Sequence, residues 1–472
     1  MERKWLLPLV ASSLVSITLF LAATLSLGAS SHRARVWTFL TDSDASRVTY
    51  VEDYLVQPPP SGMPAPPRLG YVISGTKGDG ARMKRVLQAL YHPRNHYVLH
   101  LDLEASPRER VELARSIRLD PTFLEVGNVH VVGKANLVTY RGPTMVAATL
   151  HAAAILIKQK ADFDWFINLS ASDYPLVTQD EIGGPRKVVH GESDQLLRHR
   201  ERSIRRDRIQ VESLGRNPVH LTENLIEMLY RLYCPVDLLH VLSYLPRDLN
   251  FIEHTSDIGW KEFQRAKPII VDPGLYMNKK SDIFWATQRR PVPTAFRLFT
   301  GSAWFALTRA FMEYTIIGWD NLPRIMLMYY TNFVSSPEGY FHTLICNAPE
   351  FRNTTVNHDL HYIAWDNPPK QHPLSLTVNQ IDNMTTSGAA FARKFGRDEP
   401  VLDKIDQEYL GRGPDRFTPG GWCLGTTEGG QDPCAIRGDV NVLKPGPGAK
   451  RFESLILKLL SPSRFRKNQC AL

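Results

Sequence analysis

Gly70-Tyr-Val-Ile-Ser-Gly-Thr-Lys-Gly-Asp-Gly-Ala-Arg-Met-Lys-Arg-Val-Leu-Gln-Ala-Leu-Tyr91 opens as a short apolar strand, breaks at glycine and aspartate turn residues, and continues in a helical pattern to about Tyr91. A second strand follows in His96-Tyr-Val-Leu-His-Leu-Asp102, then a charged helix near residues 107–117. A strand at 129–132, a long Ala-rich helix near 144–160 and the strand Asp164-Trp-Phe-Ile-Asn-Leu169 continue the alternation. Strands alternating with helices call for an α/β domain with a mostly parallel central sheet. No internal repeat is visible.

Outward from this block the chain changes character. Residues 5–31 carry no charge and as a helix would span about 40 Å, against a hydrocarbon core of roughly 30 Å. A cleaved signal usually has a shorter apolar stretch, so the reading is an uncleaved transmembrane signal anchor at 5–31 behind a short cytoplasmic tail, 1–4, with the bulk of the chain in the lumen. Residues 32–68 end in Pro58-Pro-Pro-Ser-Gly-Met-Pro-Ala-Pro-Pro67, an extended spacer read as a Pro-rich stem. The catalytic-sized unit is 69–410. From Gly411 to residue 472 the chain is rich in Gly and Pro, then closes with a short apolar helix at 452–460 and a basic tail, so irregular structure is expected there.

The whole chain has 472 residues, 43% of them hydrophobic and 10% aromatic, which excludes wholesale disorder and a many-span membrane protein. Lys and Arg outnumber Asp and Glu by 56 to 48, a formal charge of +8. The Arg-rich stretch 198–208 reads as a solvated surface, and behind a membrane anchor no nucleic-acid partner is expected. Five cysteines without paired CxxC spacing exclude a disulfide mini-scaffold and a structural zinc site. In an oxidising lumen Cys423 and Cys434, close across a Gly-rich loop, should form a disulfide. Cys234 with Cys346 is a weaker pairing, which leaves Cys470 free. Of three N-x-S/T sequons, Asn353 and Asn383 are the better glycosylation candidates, because Asn168 sits inside a strand.

In open α/β sheets ligands bind beyond the carboxyl ends of the strands, here Ser74-Gly-Thr-Lys-Gly, Asp102 and Ser170-Ala-Ser-Asp173. Holding a nucleotide diphosphate through a divalent ion takes an Asp-x-Asp pair at such an end. Asp162 and Asp164 form one, but they precede their strand. Metal-assisted chemistry is therefore not supported, and cations from the protein must serve instead: Lys394 first, with Lys370 and His372 offering a second. Tyr329, Tyr330, Phe333, Tyr340 and Phe341 read as core packing ahead of a sugar-stacking platform.

Six blocks in order, Gly70-Tyr-Val-Ile-Ser, Val98-Leu-His-Leu-Asp102, Asp164-Trp-Phe-Ile-Asn-Leu-Ser-Ala-Ser-Asp-Tyr-Pro-Leu176, Leu298-Phe-Thr-Gly-Ser-Ala-Trp304, Ser336-Pro-Glu-Gly-Tyr-Phe-His-Thr343 and Phe391-Ala-Arg-Lys-Phe395, resemble the core-2/I-branching glycosyltransferase family. Glu253-His-Thr-Ser-Asp-Ile-Gly-Trp-Lys and Ala364-Trp-Asp-Asn-Pro-Pro-Lys look closest to its plant branch, the β-glucuronosyltransferases that act on arabinogalactan. The resemblance implies a GT-A-like fold in a single-pass type II Golgi membrane protein, inverting transfer from a UDP-sugar, and no metal cofactor. It implies Glu338 as the catalytic base, Lys394 beside the diphosphate, Ser74 and Asp102 at the uridine-binding strand ends, and Glu253 and Trp365 on the acceptor side. The second diphosphate cation falls among Lys370, Gln371 and His372.

Inverting displacement needs one carboxylate to take the acceptor hydroxyl's proton, and UDP leaves without a second acid. Arg141 could pair with a glucuronate carboxylate, which a neutral sugar would not require. The expected partners are thus UDP-glucuronate and β-linked galactan chains of arabinogalactan proteins. Two alternatives stay open: the same fold using UDP-xylose or UDP-N-acetylglucosamine, and a non-catalytic membrane-tethered carbohydrate-binding protein.

Overall fold

A computed structural model describes residues 65–179, 238–276, 282–426, 431–443 and 447–470. The expected tail and anchor at 1–31, the stem up to residue 64, the Arg-rich stretch 198–208 and Cys234 lie outside the described residues. Among the described residues no helix is long and apolar enough to cross a membrane.

Strands β1 (Leu69–Gly75), β2 (His96–Leu101), β3 (Val129–Val131) and β4 (Trp165–Ser170) alternate with helices α1 (Gly80–Leu90), α2 (Pro107–Leu119), α3 (Pro121–Val126) and α4 (Thr144–Lys158). Local chemistry sets the helix ends. The Ser106 hydroxyl accepts from the Glu109 N–H and Pro107 occupies the first turn of α2. Asp120 caps α3, which Gly127 ends in a left-handed conformation (φ 69°).

The four strands pair in parallel, and β5 (Asp173–Pro175) turns off the end of β4. The second half of the chain completes the sheet with β6 (Asn250–Ile252), β9 (Phe305–Thr308) and β10 (Thr355–Val356), after the separate hairpin of β7 (Pro268–Val271) and β8 (Phe284–Arg289). The resulting seven-stranded order is β10-β6-β9-β4-β1-β2-β3, with β9 antiparallel to both neighbours and the other pairs parallel. The sheet is the expected mostly parallel one.

Both faces of this sheet are covered, so its strands read as near-continuous apolar runs while their side chains still alternate. Tyr71, Ile73, Tyr97, Leu99, Trp165 and Leu169 pack in one core with α1. Val72, Val98 and Phe166 face a second core, where they meet Leu156 of α4. Helices α5 (Leu238–Ser243), α6 (Arg309–Ile317), α7 (Leu322–Tyr330) and α8 (Tyr340–Asn347) follow in the second half, and Phe311 and Phe341 join the second core. Tyr330, Phe333, Tyr340 and Phe341 are buried there with Tyr329 packed against them, which is the core role expected of this aromatic run.

A three-stranded sheet of β11 (His361–Ile363), β12 (Phe391–Arg393) and β5 sits beside the main one. Its antiparallel β12–β5 register sets Arg393 opposite Asp173. Among the described residues the segment from Gly411 has few regular elements as far as residue 443, yet it is not loose. Phe417 and Trp422 are buried against Tyr91 with ring centroids 4.9 and 5.9 Å away. Cys423 is bonded to Cys434. The closing helix is longer than 452–460, running Pro447–Leu460, with Phe452 and Ile456 fully buried, and a second helix, Pro462–Lys467, follows it.

The remaining cysteine expectation is corrected. Cys346 pairs with Cys470, not with Cys234, because the C-terminal helices bring residue 470 back against α8, 124 residues away in sequence. Asn353 and Asn383 are exposed, whereas Asn168 is buried, donating to the Ala303 carbonyl at 2.8 Å and accepting from the Phe305 N–H at 2.9 Å.

Candidate active site

Glu338 ends a tight 3-10 turn, Ser336–Glu338, whose geometry is fixed from below. The buried Ser336 hydroxyl is within 2.6 Å of the Tyr330 carbonyl and 2.9 Å of the Phe333 carbonyl, and the Ser335 N–H donates to the Arg141 carbonyl at 2.7 Å. The Glu338 carbonyl accepts from the Thr300 hydroxyl at 2.8 Å and the Gly301 N–H at 3.1 Å. Gly301 has to be glycine: a Cβ there would lie 1.8 Å from the Glu253 carbonyl oxygen and 2.9 Å from the His342 ring.

The Glu338 carboxylate is gripped by three side chains. Tyr140 donates to Oε1 at 2.8 Å, Lys261 approaches Oε2 at 3.2 Å, and the Arg265 guanidinium pairs with the same oxygen. Burial pushes the carboxyl up, but Arg265, Lys261 and the hydrogen bonds outweigh it and hold the group below the ordinary carboxylate range. The Tyr140 hydroxyl is driven the other way, by burial and then by the Glu338 charge, while Arg393 and Arg265 oppose the rise. His342 on α8 is buried with Nε2 2.7 Å from the Ser302 carbonyl, and burial lowers its pKa to about 3, so it stays neutral.

At the carboxyl ends of the first strands, Ser74 lies near the end of β1 and Asp102 directly follows β2. Asp102 is buried, and its oxygens accept from the Glu104 N–H at 2.8 Å and the Val138 N–H at 3.1 Å, so it shapes the strand ends. Glu104 and Val138 line a cleft of about 500 Å3 that also holds the exposed Arg141 and the carboxylates of Asp272 and Asp282. Lys394 follows β12 and is carried onto the loop after β1. Arg397 donates to the Lys77 carbonyl at 2.5 Å, and Arg82 donates to the Phe395 carbonyl at 2.9 Å. Among the described residues the Lys394 ammonium makes no ion pair. Lys370 and His372 lie on an exposed loop, Lys370 paired with Asp366 at 3.4 Å, and neither lines the cavities described.

The single carboxylate after β4, Asp173, is fully buried, accepting from the Ser170 N–H at 2.5 Å and facing Arg393 at 3.5 Å. Arg393 in turn lies over the Trp304 ring at 4.0 Å. Asp162 and Asp164 sit at the opposite end of β4, engaged with Arg68. His254, Cys346 and Cys470 offer three ligand atoms in one place, but both sulfurs are spent in the disulfide.

Glu253 and Trp365 lie in one place. Both line a cavity of about 690 Å3 with Asn357, Asp359 and His361. Glu253 is exposed at the rim yet hemmed in: burial of its carboxyl and the nearby Asp359 push its pKa up, and Lys261 opposes them. Sequence reasoning assigned no role to Tyr140, Lys261, Arg265 or Arg393. Lys261 closes a quoted block and Tyr140 adjoins Arg141, but nothing local shows that both reach Glu338.

A model of the Core-2/I-branching enzyme family matches residues 69–211 and 224–385. The chain is 54% identical over 474 residues to the Arabidopsis thaliana protein beta-glucuronosyltransferase GlcAT14A, covering 99% of this chain and 93% of that protein. Beta-glucuronosyltransferase GlcAT14C of the same plant is 48% identical over 404 residues, 86% of this chain and 85% of that one. Xylosyltransferase 2 of Canis lupus familiaris is 24% identical over 392 residues, 77% of this chain and 36% of that one. The carboxylate held by Tyr140, Lys261 and Arg265 thus stands in an enzyme and not in a tethered carbohydrate-binding module: the chain belongs to the core-2/I-branching glycosyltransferase family.

Proposed function

We propose that this enzyme transfers glucuronate from UDP-glucuronate to β-linked galactan chains of arabinogalactan proteins, with inversion and without a bound metal. It works in the Golgi lumen on a GT-A-like domain behind a type II anchor. One observation carries the mechanism: Glu338 is an ionised carboxylate held by Tyr140, the neighbour of Arg141 in the strand-end cleft, and its backbone is tied through Gly301 to Glu253 of the larger cavity. An acceptor hydroxyl bound from the cavity side donates its proton to Glu338, its oxygen bonds to the anomeric carbon, and the bond to UDP breaks. Lys394 takes the charge that develops on the diphosphate. The names of the Arabidopsis relatives support the donor. The engagement of Asp173 with Arg393 supports a clamp made of protein cations.

The test is to incubate the full chain in detergent with UDP-glucuronate, UDP-xylose or UDP-N-acetylglucosamine and galacto-oligosaccharides, with excess chelator present. Product mass and linkage are read. A β-linked glucuronylated product is expected, and activity that returned only with added manganese would overturn the metal-free clamp.

The side chain of Arg141 stands in the strand-end cleft, where it can pair with the sugar carboxylate. Arg141→Ala should erase the preference for glucuronate over neutral sugars, a charged hydrogen-bonded contact being worth roughly ten- to hundred-fold. An equal loss with every donor would make the Arg141 side chain structural instead. The pH profile gives a separate check. Arg265→Gln removes a positive charge that favours ionised Glu338, so the carboxyl pKa rises. The acid limb of kcat/KM should therefore move to higher pH, and an unmoved limb would belong to another group.

A further inference from the structure

The 690 Å3 cavity is larger than the one sugar ring that receives the new bond requires, and one wall comes from outside the family blocks. Arg464, Lys467 and Asn468, at the last helix and just past its end, line it together with Glu253 and Asp359. That wall is anchored three ways. Cys470 is bonded to Cys346 on α8, the helix that follows Glu338. The Gln469 amide donates to the Thr355 carbonyl at 2.8 Å, on the strand paired with β6, which leads into Glu253. Phe452 and Ile456 are sunk in the first core.

The lining is chemically unfinished. Oδ2 of Asp359 and Nε2 of His361 are buried and have no hydrogen-bond partner among the described residues. Arg464 and Lys467 are exposed and form no ion pair among the described residues, and Trp365 is half exposed. With Glu253 and Asp359 beside Arg464 and Lys467, the lining carries both signs of charge and matches neither an anionic nor a cationic ligand. A neutral polyhydroxyl chain satisfies acids and bases alike, because each hydroxyl donates and accepts and the sugar's apolar face stacks on an indole.

Building on the acceptor assigned above, we propose that the C-terminal helices form a distal acceptor subsite. Arg464 and Lys467 bind neutral galactose residues beyond the one that receives glucuronate, so that this wall selects for acceptor length. Glu253 and Trp365 hold the sugars nearer the base, and the Cys346–Cys470 bond keeps the two regions in register.

The test is kcat/KM of the full-length Arg464→Ala/Lys467→Ala variant, with saturating UDP-glucuronate, on β-linked galactohexaose and galactobiose. The ratio of hexaose to biose efficiency should fall about ten-fold or more, through KM for the hexaose. An equal loss on both acceptors, or none, overturns the proposal. Calorimetric titration of the full chain with galactohexaose is independent of turnover: weaker binding by the variant is expected even if the donor proves to be another UDP-sugar, and equal binding overturns the subsite. Cys346→Ser/Cys470→Ser should lower the same ratio, since both ends of the tether lie outside the wall itself.

Discussion

Glu338→Gln is expected to lower turnover by about 10² to 10⁴, the usual contribution of a general base, while UDP affinity barely changes. The amide keeps the shape of the carboxylate and can still accept from Tyr140, but it cannot take the acceptor's proton. The substitution also leaves Arg265 and Lys261 facing a neutral group, so Tm has to be measured with turnover and UDP binding. A folded, UDP-binding variant retaining more than about a tenth of normal turnover would exclude Glu338 as the base. Glu253 would be tested next. Its raised pKa suits proton transfer near neutrality better than the lowered one of Glu338, and its place on the cavity rim keeps it within reach of an acceptor.

The second large effect concerns stability. Arg412 is buried, with its guanidinium 2.9 Å from the Asp406 carboxylate and 3.0 Å from the Tyr174 hydroxyl, and it also donates to the Arg416 carbonyl at 2.6 and 2.8 Å. Asp406 accepts from Tyr174 at 2.6 Å and from Arg85 of α1 at 2.8 Å. This network ties the first helix of the domain to the segment beyond residue 400. Arg412→Ala strips one cation from a buried carboxylate, a change that costs about 3–5 kcal/mol. Arg85 remains as a partner, so the lower figure applies. For the roughly 340 described residues at about 2.1 cal/mol/K each, that is a fall in Tm of roughly 4 °C. A Tm within 1 °C of the parent would show that Arg85 alone satisfies Asp406.

What could be read from sequence follows the range of the interactions involved. β1, β2 and β4 were legible because each is a six- or seven-residue apolar run with its own punctuation. β6 and β10 were not: they hold three and two residues, and only pairing through β9 makes them strands. Glu338 was legible through its block, but its partners lie 198 and 73 residues away at Tyr140 and Arg265, and no local pattern carries such contacts. The C-terminal helix was visible as an apolar stretch, whereas its return to α8, and hence the partner of Cys470, depends on tertiary packing.

The antiparallel insertion of β9 also bears on how this molecule can be dissected. The first four strands look like a self-sufficient nucleotide-binding half, but β4 pairs on its far side with β9, Trp165 opposite Thr308 and Ile167 opposite Ala306. A fragment ending anywhere before Phe305 would leave one backbone edge of β4 unpaired in the middle of the sheet, next to three of the most deeply buried side chains in the protein, Trp165, Phe166 and Ile167. An open, flat, apolar edge of that kind is a template for strand addition between molecules. A fragment limited to the first four strands is therefore expected to self-associate through that edge. Any minimal version of the enzyme has to include the strand that arrives some 140 residues later to close it.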